Sequence, residues 1–535
     1  MEKWLSQFGE KKWVIMILLG IFMVGIFLRT YEFHDFLRFN ADQSRDAGVV
    51  SSYIEGRSPL PLLGPKAGGT DFRVGPVFYY FQIASAKLFG NVPAVMAYPD
   101  LLFSILAIPL LFFFLRKYFD LRTALLLVAI FAVSLYAVKY SRFAWNPNSL
   151  PFWSILFLSV LHEIAIAKGV AKKRWAVLAG IALGVGVQLH TLSLLFFPIM
   201  TAGVFVFLFF ESRMQDVSKG IGVRMQWRSL IIMLTLALFL NVGQIVSEVR
   251  SGGENTTSFF GGVGTKQEKG SGIIHNALKD VVCYTQANVY ILSSYDMDDG
   301  CGLGNVVKAR NIPLFTIGLL FFVSGLILAW QAFRRESDIS KKYFLGIVFS
   351  YLILSFLILL PLANEVSMRF FLAMIFMPFL LLGLWFDFIA LRYSKWSHFI
   401  LIGITFLLVT ANLIAVGKSF ASFTAYLAGS NAGMDNILLR EVEVSSAFIV
   451  AHAGGAPVIA VDGDAQFLFK GLKSMNYFTS RSGIKLVEKN KKTDPNLPVF
   501  LIENTRQKDA ILEHPGGVED FLSFGRFTIF SFQSK

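Results

Sequence analysis

Residues 39–46 read FNADQSRD, which packs Asp42, Arg45 and Asp46 into one turn. On a helix these positions are i, i+3 and i+4 and share a face, where two carboxylates repel and a guanidinium between them relieves the repulsion. Such a group starts a helix, with Asp42 as its N-cap, or forms the acidic centre of a reaction that removes a proton. Three more polar sets stand out. Arg73 lies in FRVGP (72–76), His190 in VQLHT (187–191), and Glu365 with Arg369 in NEVSMRF (364–370). A fourth, SRFAWNPN (141–148), carries Arg142, Asn146 and Asn148 around Trp145 and an Asn-Pro break. Singly, each has an ordinary explanation. Arg73 snorkels to lipid phosphates, His190 is a helix-end histidine, Glu365 and Arg369 form a surface pair, and Trp145 marks the headgroup level. Together, an acid, an imidazole and arginines suit transfer of a group from a phosphate-linked lipid. The carboxylate activates the acceptor and the cations stabilise the departing phosphate.

The elements that must position these residues are apolar helices. Of 535 residues, 55% are hydrophobic and only 16% charged, and 55 are Phe; an ordinary soluble domain is about 25% charged. The composition reads as a polytopic α-helical membrane protein. Runs of spanning length, about 17–25 residues, fall near 13–29, 97–115, 123–139, 149–167, 175–190, 192–210, 229–246, 312–331, 343–361, 370–390 and 397–417. That predicts about eleven spans in a module covering 1–417. The net charge of +13 gathers in the segments between them, as the positive-inside rule requires, and no nucleic-acid motif accompanies it. The basic segments fall on one side only if GPVFYYFQIASAKLFG (75–90) does not cross; an interfacial helix in the first exterior loop meets that condition. All the polar sets above then lie on the exterior face of an inner or plasma membrane.

The tail, 418–535, changes character. APVIAVDGDAQF and LPVFLIENT read as short buried strands, so the tail is expected to be a small exterior α/β domain. The only cysteines, Cys283 and Cys301, share the 247–311 loop; an exterior location permits a disulfide between them. Their spacing fits no metal motif.

The order of these features resembles the membrane-embedded GT-C superfamily of glycosyltransferases, in the branch holding the protein O-mannosyltransferases and the aminoarabinose transferases. ADQSRD is similar to that branch's early Asp-Glu pair, with Gln43 where Glu is usual; the resemblance implies that Asp42 is the catalytic acid, with Arg45 and Asp46 supporting it. FRVGPVFYYFQIASAKLFG resembles the segment that places Arg73 near the lipid phosphate. YSRFAWNPNSLPF resembles the second exterior loop, implying that Arg142, Asn146 and Asn148 line the cleft. VQLHTLSLLFFP and MRFFLAMIFMP resemble later segments, which adds His190 and makes Arg369 a phosphate ligand, with Glu365 beside it.

The expectation is therefore an enzyme that moves a hexose or pentose from a polyprenyl-phosphate donor to a protein, lipid or glycan acceptor, with inversion. That chemistry requires no cofactor; a divalent cation at Asp42 is the alternative. The competing reading is a transporter or flippase for a lipid-linked saccharide. It predicts polar residues at mid-membrane, broken spans and inverted repeats. The sequence instead gathers its polar groups at one face.

Overall fold

In a computed structural model, the described residues are 8–167, 169–215, 222–268, 272–297, 301, 306, 308–429, 436–463, 468, 470–490, 493–494, 496–504 and 518–532. Helices dominate. The first, α1 (Phe8–Thr30), is followed by α2 (Ala41–Ile54) and α3 (Val77–Phe89) in the first loop. Then come α4 (Tyr98–Leu115), α5 (Leu121–Val133), α6 (Leu135–Tyr140), α7 (Leu150–Ile166), α8 (Gly169–Gly186), α9 (Thr191–Gln215) and α10 (Gly222–Leu240). After these run α11 (Val242–Ser251), α12 (Glu254–Glu268), α13 (Ile273–Ser293), α14 (Ile312–Arg335), α15 (Ile339–Leu359), α16 (Met377–Arg392) and α17 (Ser397–Leu427).

Every one of the eleven apolar runs is helical over most of its length. Among the described residues, six helices are long and apolar enough to cross a membrane, or up to eight if each of two bent pairs counts as one span. The bends lie between α10 and α11, at 63°, and between the 3₁₀ stretch Met368–Met374 and α16, at 60°. Asn241 occupies the first bend, and its amide donates to the Gly184 and Ala237 carbonyls at 3.0 and 2.8 Å. α5 and α7 fall short of full span length. The run at 75–90 forms α3, a buried helix of 13 residues that packs on α2 and α4. Helix α17 extends to Leu427, ten residues past the expected end of the module.

The tail is the expected α/β unit. Helices α18 (Leu439–Ala451) and α19 (Leu472–Arg481) accompany β1 (Val458–Gly463), β2 (Lys485–Glu488), β3 (Val499–Asn504), β4 (Val518–Phe524) and β5 (Phe527–Phe532). The sheet order is β2-β1-β3-β5-β4, parallel across β2-β1-β3 and antiparallel across β3-β5-β4. The two strands read from sequence are β1 and β3.

This domain is clamped to the first loop. The Phe39 N–H donates to the Ile437 carbonyl at 2.8 Å and the Leu439 N–H to the Leu37 carbonyl at 2.7 Å. Phe39 is fully buried and stacks edge-on against Tyr477 and Phe478 of α19. The tail therefore grips the chain just before α2.

Candidate active site

Helix α2 begins two residues earlier than an Asp42 cap would place it. Asn40 is the N-cap, and its N–H donates to Gln43 Oε1 at 3.1 Å, the reciprocal half of a capping box. This corrects the N-cap expectation for Asp42 and gives Gln43 a physical task. A glutamine at N3 closes the box and also donates to the Ala144 carbonyl at 3.3 Å. Asp42, released from capping, sits in the first turn with its carboxylate exposed. Arg45 Nη1 donates to Asp42 Oδ1 at 2.8 Å, and Arg45 Nε to Asp46 Oδ1 at 2.9 Å. Asp46 is fully buried and also accepts from the Tyr79 hydroxyl at 2.9 Å. Burial pushes its pKa up to about 6, with Arg45 pulling against that rise. Asp46 thus anchors Arg45, and Arg45 holds Asp42.

One cavity of about 500 Å³ gathers Asp42, Arg45, Asn146, His190, Glu365 and Arg369 in its lining. Each arrives from a different element. Asn146 comes from the turn before α7 and donates to the Leu189 carbonyl at 2.5 Å, tying it to the α8–α9 hinge. His190 stands in that hinge, its Nδ1 accepting from the Leu192 N–H at 3.2 Å, which leaves the proton on Nε2. Its ring meets Phe370 edge-on at 5.3 Å. Arg369 heads the seven-residue 3₁₀ stretch, so the expected start of a straight span is instead a bend that re-aims the guanidinium. It lies 5.6 Å from the Trp145 ring centroid and 5.5 Å from that of Phe370. Glu365 lines the same wall, but no ion pair with Arg369 forms among the described residues.

A hairpin-like loop, residues 64–74, closes the cavity. Its rungs are Gly64 N–H to the Val74 carbonyl and Ala67 N–H to the Phe72 carbonyl, both 2.8 Å. The tip, Lys66 to Asp71, lines the cavity, with Lys66 Nζ 2.7 Å from Asp71 Oδ1. A Cβ built on Gly68 would come 3.5 Å from Arg369 Nη2, so the loop backbone lies over the guanidinium.

Three expected residues do not reach this cavity. Arg73 staples the hairpin instead: its Nε donates to the Gly64 carbonyl at 2.8 Å and its backbone pairs with Asn255. Lys66, from the same loop, takes its place in the wall. Arg142 is buried and donates to the Leu28, Arg29, Tyr31 and Glu32 carbonyls, closing the end of α1. Asn148 turns inward to the Phe143 carbonyl at 2.7 Å. The expected disulfide is not formed either. Cys283 and Cys301 are adjacent, buried, free thiols, with Cys283 Sγ 3.6 Å from the Cys301 carbonyl oxygen. Among the described residues, no three of His, Cys, Asp and Glu converge on a metal site.

Beside this cavity lies an apolar groove of about 710 Å³ between α8, α9 and α10, lined by Val187, Leu194, Pro198, Phe205, Trp227 and Leu234 among others. Leu194 lines the groove and Leu195 the polar cavity, so the two meet along α9.

Part of the sequence matches a known family, and the fold is similar to solved structures. Residues 73–242 match the family model for Dolichyl-phosphate-mannose-protein mannosyltransferase. No curated protein matches the chain by sequence. Over 98% of both chains, the structure resembles ArnT from Cupriavidus metallidurans in the apo state, with a TM-score of 0.52 at 13% identity. The structure of ArnT bound to undecaprenyl phosphate gives 0.51 at 13% identity, again over 98% of each chain. The S. cerevisiae Pmt1-Pmt2 complex bound to the sugar donor covers 45% of this chain and 34% of its own at 14% identity, with a TM-score of 0.34, too low to bear on the fold. The expected likeness to GT-C glycosyltransferases of the O-mannosyltransferase and ArnT type therefore holds, and the fold is that of ArnT.

Proposed function

We propose that the protein is a membrane glycosyltransferase that moves a sugar from a polyprenyl-phosphate carrier to an acceptor hydroxyl on the exterior face. The observation that carries this reading is the single cavity where Asp42 meets Arg369, His190 and Asn146, beside an apolar groove. A family model named for a dolichyl-phosphate-mannose enzyme, and an ArnT structure bound to undecaprenyl phosphate, support the donor class.

The isoprenoid tail would lie in the groove and its phosphate in the polar cavity against Arg369 and Lys66, with the His190 Nε2–H as a further donor. Asp42 accepts the proton of the acceptor hydroxyl as that oxygen attacks the anomeric carbon in line. The bond from that carbon to the phosphate oxygen breaks, its electron pair stays on the leaving phosphate, and the configuration inverts. A monophosphate is matched by protein cations fixed before the reaction, so transfer is expected to persist in chelator. Asp42 is steadied by Arg45 without being enclosed, which keeps it open to an incoming hydroxyl.

The test is to incubate the purified protein with a panel of polyprenyl-phosphate sugars and follow lipid-phosphate release. Release from one member, weakened at limiting donor in Arg369→Ala, is expected; no release from any donor in the presence of varied acceptors overturns the reading.

A further inference from the structure

A second, larger cleft of about 1350 Å³ opens between α2 and the tail domain. Its cations are Arg45, Arg57, Arg250, Lys473, Arg481 and Lys485, and among the described residues no Asp or Glu lines it. Arg45 is engaged by Asp42 and Asp46, and Arg57 and Arg481 share Glu55 at 2.5 and 3.4 Å. Arg250, Lys473 and Lys485 have no ion-pair partner among the described residues. The same wall presents the hydroxyls of Ser52 and Ser58, while the Asn476 amide is held by the Leu486 backbone at 2.8 Å in both directions and Ser44 Oγ donates to the Ala41 carbonyl. Arg45 lines both this cleft and the catalytic cavity, and Ala41 lines the cleft where its neighbour Asp42 lines the cavity. Only the first turn of α2 separates the two.

From this juxtaposition we infer that the cleft is the acceptor site, and that the acceptor is an anionic saccharide bearing phosphate or carboxylate groups beside the hydroxyl to be glycosylated. The inference rests on the glycosyltransferase reading for the word acceptor, and on the cleft alone for the charge. Cations without an ion-pair partner beside serine hydroxyls select an anion that is also rich in hydroxyls. The first turn of α2 then presents that ligand's edge to Asp42. The tail domain supplies Lys473, Lys485 and Arg481, which assigns it recognition as well as closure.

The saccharide reaches the cleft free or on a lipid, and the two are separable. The full chain in neutral-lipid nanodiscs is titrated with a labelled oligogalacturonide and with a neutral malto-oligosaccharide of equal length. A sialylated glycolipid and a neutral one in the discs then compete with the bound label. Preference for the charged oligosaccharide by about tenfold or more is expected, as is a loss of about tenfold in Lys473→Glu/Lys485→Glu. Retention in Lys473→Arg/Lys485→Arg, and in Lys395→Glu at the end of α17 away from the tail, completes the expected pattern. Displacement by the sialylated lipid alone assigns a lipid-borne source; no displacement assigns a free one. Equal binding of neutral and charged oligosaccharides, or undiminished binding in the charge-reversed variant, overturns the inference. Polyprenyl-phosphate binding is measured on the same discs. If it is present while charge preference is absent, the cleft inference alone has failed; if it is absent, the donor reading fails independently.

Discussion

At the scale of the residue, some groups face the cavity and others hold them in place. Arg369 faces it, and Arg73 does not. Removing a charged hydrogen-bond donor from a phosphate weakens the interaction by about 1.5–3 kcal/mol, or about ten- to hundredfold. Arg369→Ala should raise the donor KM by that factor, whereas Arg73→Lys, which loses only the bond to the Gly64 carbonyl, should leave it near wild type. Donor titration of both variants checks the assignment, and an equal rise in the two would restore Arg73 to the phosphate. The sequence made Asp42, His190, Asn146, Glu365 and Arg369 legible because polar groups beside long apolar runs are conspicuous. Arg73, Arg142 and Asn148 do not line this cavity, and residue type does not reveal which way a side chain points or whether a backbone carbonyl is waiting for it. Lys66 was missed because a lysine in a Gly-rich loop has no periodicity to mark it.

At the scale of the element, helix starts and clamps set the geometry. Gln43 closes the capping box at the first turn of α2, and the loss of such a cap typically costs about 1 kcal/mol. Gln43→Ala should lower the melting temperature modestly and reduce turnover by loosening the turn that carries Asp42. Normal turnover with a lowered melting point would show that the cap does not position the acid. Eleven helices could be read from the sequence because a chain in lipid must satisfy its backbone internally, so each long apolar run has one available form. The 60° break before α16 left no such signature; it depends on how Met368–Met374 packs, not on its composition.

At the scale of the whole molecule, the tail depends on two ion pairs, one inside it and one joining it to the first loop. Arg526 and Glu441 are fully buried, with Nη2–Oε2 at 2.6 Å and Nε–Oε1 at 2.9 Å, and the guanidinium lies 4.3 Å over Tyr426 at the end of α17. Breaking one partner of such a pair costs about 3–5 kcal/mol. Arg526→Met should therefore release the tail to protease, with Glu441 left buried and unpaired. His34 and Glu443 form the exposed counterpart at 3.3 Å. The bond to Glu443, helped by Asp35 and opposed by partial burial, raises the His34 pKa to about 9. A raised histidine pKa means its contribution is complete below the unfolded value of about 6.5 and is lost as pH climbs through about 9. Hydrogen exchange at residues 37–40 should accelerate over that window, and Glu443→Gln should flatten the dependence. The pair is solvent-screened, so the effect is small. That the tail would be α/β was legible from β1 and β3. Its sheet order was not, because strand pairing across crossovers leaves no local pattern, and its grip on residues 37–40 was not, because it pairs segments some 400 positions apart.

The most direct test of the central claim is sugar transfer by Asp42→Asn, expressed at wild-type level in the membrane and supplied with the donor that the wild type consumes. An asparagine keeps the shape and the contact with Arg45 but cannot take a proton. The account predicts that turnover falls by about a hundredfold or more, with donor binding retained. Transfer at the wild-type rate would contradict it.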